Sequence, residues 1–196
     1  MTTRLACANI TSVMEDERRK QTEQKLIKSG KEEFLKKGYA KANLRDICKN
    51  AGVTTGAFYF SFENKEALLS AILAPVITDY EKMCSIFARR EEENPDTADD
   101  NERQMMEYLS EHRTEALILM EKSAGSRYEK FRPQISQQMQ AAFTCYFTKF
   151  MGSTPDAELI RILVTMRLQG YMELIKGDYT VEERVRLARE IGIHAD

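Results

Sequence analysis

Apolar residues recur at steps of three and four along almost the whole chain, the spacing of helices that bury one face. The first predicted helix runs from about residue 21 to 37, with Ile27 and Phe34 on its apolar side and Gly38 just after its end. Strand-like alternation is scarce, and only four prolines interrupt 196 residues. The pattern predicts an all-α protein, with residues 1–17 as a flexible leader before the first helix.

Two short helices follow, joined by a turn of a few residues. Asn43 is a good N-cap for the first, with Asp46 three residues on to complete a capping box, and Gly52 ends that helix. Thr54 is placed to cap the second, over residues 55 to about 61. This is the layout of a helix-turn-helix, whose second helix enters the DNA major groove. An ordinary helical hairpin without a ligand has the same spacing.

The second short helix carries a dense aromatic run. Phe58 and Phe62 lie four residues apart, so they share a face and are predicted to anchor the helix to its neighbours. Tyr59 and Phe60 fall elsewhere and are predicted to be exposed toward DNA. The small residues before them allow a close approach of the backbone to base edges; they are Thr55, Gly56 and Ala57.

A longer helix begins after Asn64, a further N-cap, and places Lys65 in its first turn. A cation in the first turn interacts unfavourably with the helix dipole. This cost is explained if the ammonium and the free N–H groups of the helix end bind a DNA phosphate together. The alternative is a solvated surface lysine. Pro75 interrupts this helix and is predicted to kink it. The kink is either a hinge between two domains or a fixed bend around the core.

The remaining chain predicts further helices over about 102–111 and 114–122, one ending near 150, and one over 156–176. This body is rich in Met and aromatic residues, which suit either an adaptable apolar pocket or ordinary core packing. The candidate pocket residues are Tyr80, Met83, Met105, Tyr108, Met120, Tyr128, Phe143 and Phe147. No charged constellation in the sequence defines a ligand.

The helix over 156–176 has two apolar stripes side by side, a wider apolar arc than a surface helix of a monomer needs. The excess indicates burial against a partner as well as against its own domain, although a central helix of a monomeric core would look the same. The stripe that we assign to a homodimer interface consists of Ile160, Val164, Leu168, Tyr171 and Ile175.

Net charge is −2, but the segment from Arg18 to Lys65 has 12 Lys and Arg against 5 Asp and Glu. A basic N-terminal quarter on an acidic body favours a nucleic-acid-facing end. The four cysteines are scattered and predicted to be reduced thiols, with a redox-sensing role as a minor alternative. No apolar run reaches the length of a membrane span, and no signal peptide is recognisable, so we expect a cytoplasmic protein without membrane association.

Catalysis is not expected. The only histidines are His112 and His194, and neither has a nucleophile motif nearby. No glycine-rich phosphate loop occurs, and no metal site or cofactor is expected.

The stretch GYAKANLRDICKNAGVTTGAFYFSFENKEALL resembles the DNA-binding domain of the TetR family of bacterial transcriptional regulators. The matching positions are Gly38, Tyr39, Asp46, Ile47, Ala51, Gly52, Val53, Gly56, Phe58, Tyr59, Phe62, Lys65 and Leu68. Ser61, Asn43 and Glu33 depart from the pattern: they stand where the family frequently has histidine, threonine and an apolar residue. Beyond about residue 75 the resemblance implies only a helical regulatory and dimerisation domain.

The resemblance implies a DNA-binding domain over 18–66 and a regulatory domain over 67–196. We expect a homodimeric repressor that leaves a pseudo-palindromic double-stranded DNA operator when an unidentified small molecule binds. The alternative is a DNA-binding regulator without such an effector, controlled by a protein partner or by cysteine redox state. The predicted DNA-binding residues are Asn43, Arg45, Thr54, Thr55, Gly56, Ala57, Tyr59, Phe60, Ser61 and Lys65.

Overall fold

The computed structural model describes the backbone of residues 2–195 and the side chains of residues 16–94, 96–149 and 152–191. Every regular element in this part is helical, as the sequence predicts. The α-helices are α1 (Thr2–Lys37), α2 (Leu44–Ala51), α3 (Thr55–Ser61), α4 (Lys65–Glu93), α5 (Ala98–Glu111), α6 (Arg113–Leu117), α7 (Phe131–Met151), α8 (Ala157–Lys176) and α9 (Val181–Ala195). A 3-10 turn lies at Pro95–Thr97 and a single π-helical turn at Ile118–Lys122.

Three sequence-based boundaries are wrong. The predicted leader over residues 1–17 is helical from Thr2 onward, because no glycine or proline precedes Gly30 to interrupt α1, and residue 1 lies outside the described residues. The helix predicted over 114–122 divides into α6 and the π turn. The last helix, α9, was not predicted, because charged residues outnumber the apolar positions by which it packs on α5 and α8.

The N-terminal core is formed by α1 to α4 together with Ile118 and Leu119 of the π turn. Its fully buried side chains include Leu26, Phe34, Ile47, Phe58 and Leu68. The helices α1 and α4 approach closely at Gly30, where an added Cβ would lie 2.9 Å from Leu68 Cδ2. The helix α4 continues beyond this core as the connection to the rest of the chain, with Pro75 inside it.

The C-terminal body places α5, α8 and α9 around a second core of Met106, Leu174 and Ala188, and α7 packs on α8. No described helix is long and apolar enough to cross a membrane.

The structure reverses the assignment of the two stripes of α8. The stripe assigned to a dimer interface faces the protein's own interior: Ile160, Val164, Leu168 and Ile175 are buried and Tyr171 is half-buried. The other stripe leaves Leu159, Ile162 and Met166 exposed by 51%, 43% and 61%. We call these three residues the outer face of α8.

Candidate DNA interface and ligand cavity

The turn between α2 and α3 is a Schellman motif, which fixes the angle between the two helices. Gly52 has φ of 67°, a left-handed conformation that favours glycine. Its N–H donates to the Lys49 carbonyl at 3.1 Å, and the Val53 N–H donates to the Cys48 carbonyl at 3.0 Å. The orphan carbonyls at the end of α2 are thereby satisfied, and the turn is rigid.

The start of α2 is tied to α1 by a network that the sequence did not reveal. Asn43 Oδ1 accepts from the Arg45 N–H at 2.8 Å, as predicted for an N-cap. Asp46 does not complete the capping box; it accepts from Lys37 Nζ at 2.9 Å. Its place is taken by Glu33, whose carboxylate accepts the Asn43 N–H at 3.2 Å and pairs with Lys37 at 2.8 Å.

Glu33 is only 4% exposed, although it is charged. The sequence signal for its role was the carboxylate itself, at a position of α1 where the resembled family frequently has an apolar residue. Hydrogen bonding to Glu33 raises the pKa of Lys37, and hydrogen bonding to Lys37 lowers the pKa of Asp46. These three residues hold the end of α1 against the start of α2, where Arg45 is exposed.

The aromatic run of α3 divides as predicted. Phe58 is fully buried and Phe62 is 9% exposed, and their ring centroids lie 5.7 Å apart in the N-terminal core. Tyr59 and Phe60 are 58% and 86% exposed. Burying two rings while exposing the two between them orients α3 about its own axis.

The N-terminal end of α3 is open to solvent. Thr54 caps it through Oγ1, which accepts the Ala57 N–H at 3.1 Å, and Thr54, Thr55 and Gly56 are exposed. The closest atom to an added Cβ at Gly56 would be Thr54 Oγ1 at 3.7 Å, so internal packing does not require glycine there. Ala57 and Ser61 are half-buried. We call the exposed set the recognition surface: Thr54, Thr55, Gly56, Tyr59 and Phe60.

Lys65, at the start of α4, turns its ammonium into the protein. Nζ donates to the carbonyls of Tyr39 and Ala42 at 2.7 and 3.0 Å and stands 4.4 Å from the centre of the Tyr39 ring. Burial lowers the pKa of Lys65. Burial, and then hydrogen bonding to Glu66, raise the pKa of Tyr39 to about 12, so the ring stays neutral. The sequence suggested only an outward-facing cation here.

We expect Lys65→Met to lower the free energy of unfolding by about 1 to 3 kcal/mol, because two partly buried carbonyls lose a charged donor. Thermal or denaturant unfolding measures the change. Lys49→Met, on an exposed position of α2, is the control and should unfold like the wild type. Wild-type stability of the Lys65 variant would contradict a structural role for this ammonium.

A cavity of about 500 Å³ lies between α4, α5, α7 and α8. Five of the predicted pocket residues line it: Tyr80, Met105, Tyr108, Met120 and Phe143. The assignment of Met83, Tyr128 and Phe147 is wrong. They are outside this lining, and Tyr128 packs against the N-terminal core. Residue type alone did not distinguish core from cavity, because Met and aromatic side chains serve both.

One side of the cavity carries polar groups that meet only in the folded chain. We call Asn101, Glu102, Arg167 and Tyr171 the polar wall. Arg167 Nε donates to the Tyr171 hydroxyl at 2.8 Å, and its terminal nitrogen lies 3.4 Å from Glu102 Oε2. The guanidinium also stacks near the ring of Phe143, at 5.3 Å. The sequence did not show this cluster, because α5 and α8 bring together residues that are far apart in sequence.

The segment of α6 and the π turn, which we call the junction, separates this cavity from the helix-turn-helix. Ala116 and Leu119 line the cavity, while Ile118 and Leu119 belong to the N-terminal core. On the side facing α1, the Glu115 carboxylate pairs with Lys31. The Lys122 carbonyl accepts the Tyr39 N–H at 2.7 Å. One short segment thus contacts both the cavity and the helix-turn-helix.

The capped short helices, the fixed turn and the exposed tip of α3 define a helix-turn-helix domain attached to an all-α body. Residues 26–72 match the model of the "Bacterial regulatory proteins, tetR family". The match covers the helix-turn-helix region, so this part of the chain is similar to the DNA-binding domain of TetR-family regulators.

Curated relatives match part of the chain. The HTH-type transcriptional regulator TtgR of Pseudomonas putida is 32% identical over 79 residues, which are 40% of this chain and 38% of that protein. The transposon Tn10 TetC protein of Escherichia coli is 46% identical over 52 residues, 26% of each chain. The matched segment thus spans less than half of either relative.

Two solved structures share the whole fold. A transcriptional regulator from Aquifex aeolicus VF5 has a TM-score of 0.57 at 21% identity, covering 88% of this chain and 99% of that one. A TetR-family protein from Syntrophomonas wolfei has a TM-score of 0.52 at 20% identity, covering 90% and 95%. At these identities the likeness extends to the fold alone.

Proposed function

We propose that the protein is a homodimeric transcriptional repressor that binds a pseudo-palindromic DNA operator and leaves it when a small molecule binds the cavity. The observation that carries the DNA-binding part is the split of the α3 aromatics. Two buried rings hold the helix, and Tyr59 and Phe60 stand exposed beside its open N-terminal end. Large aromatic side chains that are exposed together on a protein surface indicate that another molecule binds there. The proposed division of the chain is a DNA-binding domain over 18–66 and a regulatory domain over 67–196.

The recognition surface suits apolar reading of bases. None of its side chains can make the bidentate contacts by which Arg reads guanine or Asn reads adenine. The methyls of Thr54 and Thr55, the Phe60 ring and the half-buried Ala57 beside this surface suit thymine methyl groups instead. Packing within the protein does not require glycine at position 56. The absence of a side chain there would instead allow DNA to approach the backbone closely. Arg45, Tyr59 and the open side of Lys65 would then contact the backbone, together with Asn43 and Ser61.

We therefore expect an A·T-leaning half-site in which thymine methyls matter. Genomic footprinting identifies the operator, and equilibrium binding is then measured on duplexes in which one contacted thymine is replaced by uracil. The uracil duplex should weaken binding about as much as Phe60→Ala or Ala57→Gly does. The losses should not add when protein and DNA are changed together, because both remove the same contact.

A thymine replaced outside the protected half-sites is the matched DNA control and should leave affinity unchanged. Full additivity of the two losses would contradict methyl readout by α3. An operator core built of G·C pairs would contradict it as well.

The dimer is proposed to form through the outer face of α8. Leu159, Ile162 and Met166 follow one another at steps of three and four, so they form a continuous apolar strip. A second copy related by a two-fold axis presents the same strip, which makes the contact self-complementary. A dimer of this kind presents two recognition helices to DNA. The two half-sites are then expected to be separated by about one helical turn of DNA or by a multiple of one turn.

Release from DNA is proposed to pass through the junction. A ligand that displaces Ala116 or Leu119 moves a segment whose other side bonds to Tyr39 and pairs with Lys31. The π turn has a register that differs from the α-helix before it, and single π turns are frequent at functional sites. Pro75 in α4 offers a second route, because a bend there would lie where α4 passes from the N-terminal core to the cavity lined by Val76 and Tyr80.

Control by cysteine oxidation is less favoured by the described residues. Burial raises the pKa of Cys48 and Cys84, which reduces the thiolate that reacts with oxidants. Cys145 is exposed, and the side chain of Cys7 lies outside the described residues.

A further inference from the structure

The chemistry of the cavity's polar wall restricts what the proposed effector can be. Most of the lining is apolar or aromatic, contributed by residues such as Met105, Leu109, Phe131 and Met139. The charged lining residues are Glu91, which is exposed to solvent, and the paired Glu102 and Arg167 of the polar wall. An apolar cavity that holds a buried carboxylate oxygen without a hydrogen-bond partner favours a ligand with a hydrophobic body and a cationic group.

The N–H donors of Asn101 and Arg167 and the Tyr108 hydroxyl are already used by protein acceptors. Asn101 Nδ2 donates to Glu91 Oε1 at 2.7 Å and to the Phe87 carbonyl at 3.4 Å. The Tyr108 hydroxyl donates to the Val76 carbonyl at 3.0 Å. Arg167 donates to Tyr171 and Glu102. A ligand acceptor such as a carboxylate would have to displace one of these partners.

The acceptors, in contrast, are in surplus. Glu102 Oε1 and Asn101 Oδ1 are buried and receive no hydrogen bond. The orientation of the Asn101 amide is fixed, because both partners of its nitrogen are acceptors. Glu102 is not fixed in this way. Its ion pair with Arg167 is long, at 3.4 Å, and its carboxylate can turn about its last side-chain bond.

Tyr171 strengthens the same conclusion. Burial, and then the charge of Glu102, raise the pKa of Tyr171 well above its ordinary value, so its hydroxyl stays protonated. It is therefore a neutral member of the wall and adds no negative charge of its own. Its ring, with those of Tyr80 and Phe143, supplies aromatic faces to the same cavity, which suit a cationic group.

We propose that the cavity binds a lipophilic amine in its protonated form, with the ammonium on the Glu102 carboxylate and the apolar body among the Met and aromatic side chains. The role of this ligand as an effector rests on the proposed function, but its binding does not. A primary ammonium supplies three donors, enough for Glu102 and one neighbouring acceptor.

The test compares three probes of the same length and shape: phenylbutylamine, phenylbutanol and phenylbutyrate. Isothermal titration of the full-length protein in the absence of DNA should give the amine at least about tenfold tighter binding than either analogue. Glu102→Gln keeps the shape and removes the charge, so it should abolish most of this preference and change alcohol binding little. Glu111→Gln, on an exposed position of the same helix, is the control and should behave like the wild type.

Arg167→Met separates this proposal from carboxylate recognition. Removing the guanidinium frees Glu102 for the ligand, so amine affinity should rise, whereas a site for carboxylates would lose its ligand. Circular dichroism and thermal melting show that each variant is folded. Tighter binding of phenylbutyrate than of the amine, no amine binding, or amine binding untouched by Glu102→Gln would overturn the proposal.

A different experimental result would contradict the proposed function rather than the proposed ligand class. Operator binding is measured separately, with and without the amine. An amine that binds through Glu102 but leaves operator binding unchanged would contradict ligand release and leave the ligand class intact. Release by a carboxylate, with no effect of the amine, would contradict the ligand class and support release.

Discussion

Replacing Phe58 with alanine is expected to lower the free energy of unfolding by about 3 to 5 kcal/mol, the usual cost of removing a fully buried phenyl ring. Phe58 has no exposed surface and packs against Phe62 in the N-terminal core. Proteins of this size are stable by only about 5 to 15 kcal/mol, so operator binding should be severely reduced. Denaturant unfolding followed by circular dichroism measures the loss.

Phe60→Ala is the matched control, two residues further along the same helix. Its ring is 86% exposed, so unfolding should change by no more than about 0.5 kcal/mol. Operator affinity should still fall, on the order of tenfold, because the lost contact is to DNA. Equal stability losses in the two variants would mean that α3 is not oriented as described. Wild-type operator binding by Phe60→Ala would remove that residue from the interface.

Met166→Glu is expected to convert the dimer to a folded monomer and to abolish operator binding. The residue is 61% exposed in the single chain, so a charge there leaves the fold intact. In the proposed dimer the same charge is buried against an apolar strip, at a cost of several kcal/mol. Sedimentation velocity at micromolar concentration reports the assembly, and thermal melting reports the fold.

Two further substitutions on α8 act as controls. Thr165→Glu introduces the same charge on an exposed position about 100° further round the helix and should remain dimeric. Val164→Glu buries the charge in the protein's own interior, since Val164 is fully buried, and should unfold the body rather than yield a stable monomer. A wild-type protein that sediments as a monomer, or a dimeric Met166→Glu, would contradict this interface.

The local features of the helix-turn-helix were predictable because they depend on near neighbours in sequence. Asn43, Thr54 and Asn64 each cap the helix that follows, through a hydrogen bond to an N–H two or three residues on. The split of the α3 aromatics also follows from helical periodicity, which assigns residues four apart to one face. Neither feature needs knowledge of what lies across the fold.

Interactions between distant segments were not predictable in the same way. The partner of the Asn43 N–H is Glu33 rather than Asp46, because the end of α1 passes beside the start of α2. The ammonium of Lys65 binds the carbonyls of Tyr39 and Ala42, which come from the turn after α1. In both cases the partner of the charged side chain lies on another segment of the fold, which periodicity along one helix does not identify.

The sequence by itself determined that this protein is all-α, where its short helices start, and which side of α3 is buried. It also indicated that α8 has more apolar surface than one contact can cover. Only the tertiary structure decided which stripe of α8 faces inward, because the two stripes are equally apolar and periodicity carries no information about what packs opposite. The pairing of Glu102 with Arg167 was also decided only by the tertiary structure. The two residues lie on α5 and α8, which are far apart in sequence and come together only in the folded protein.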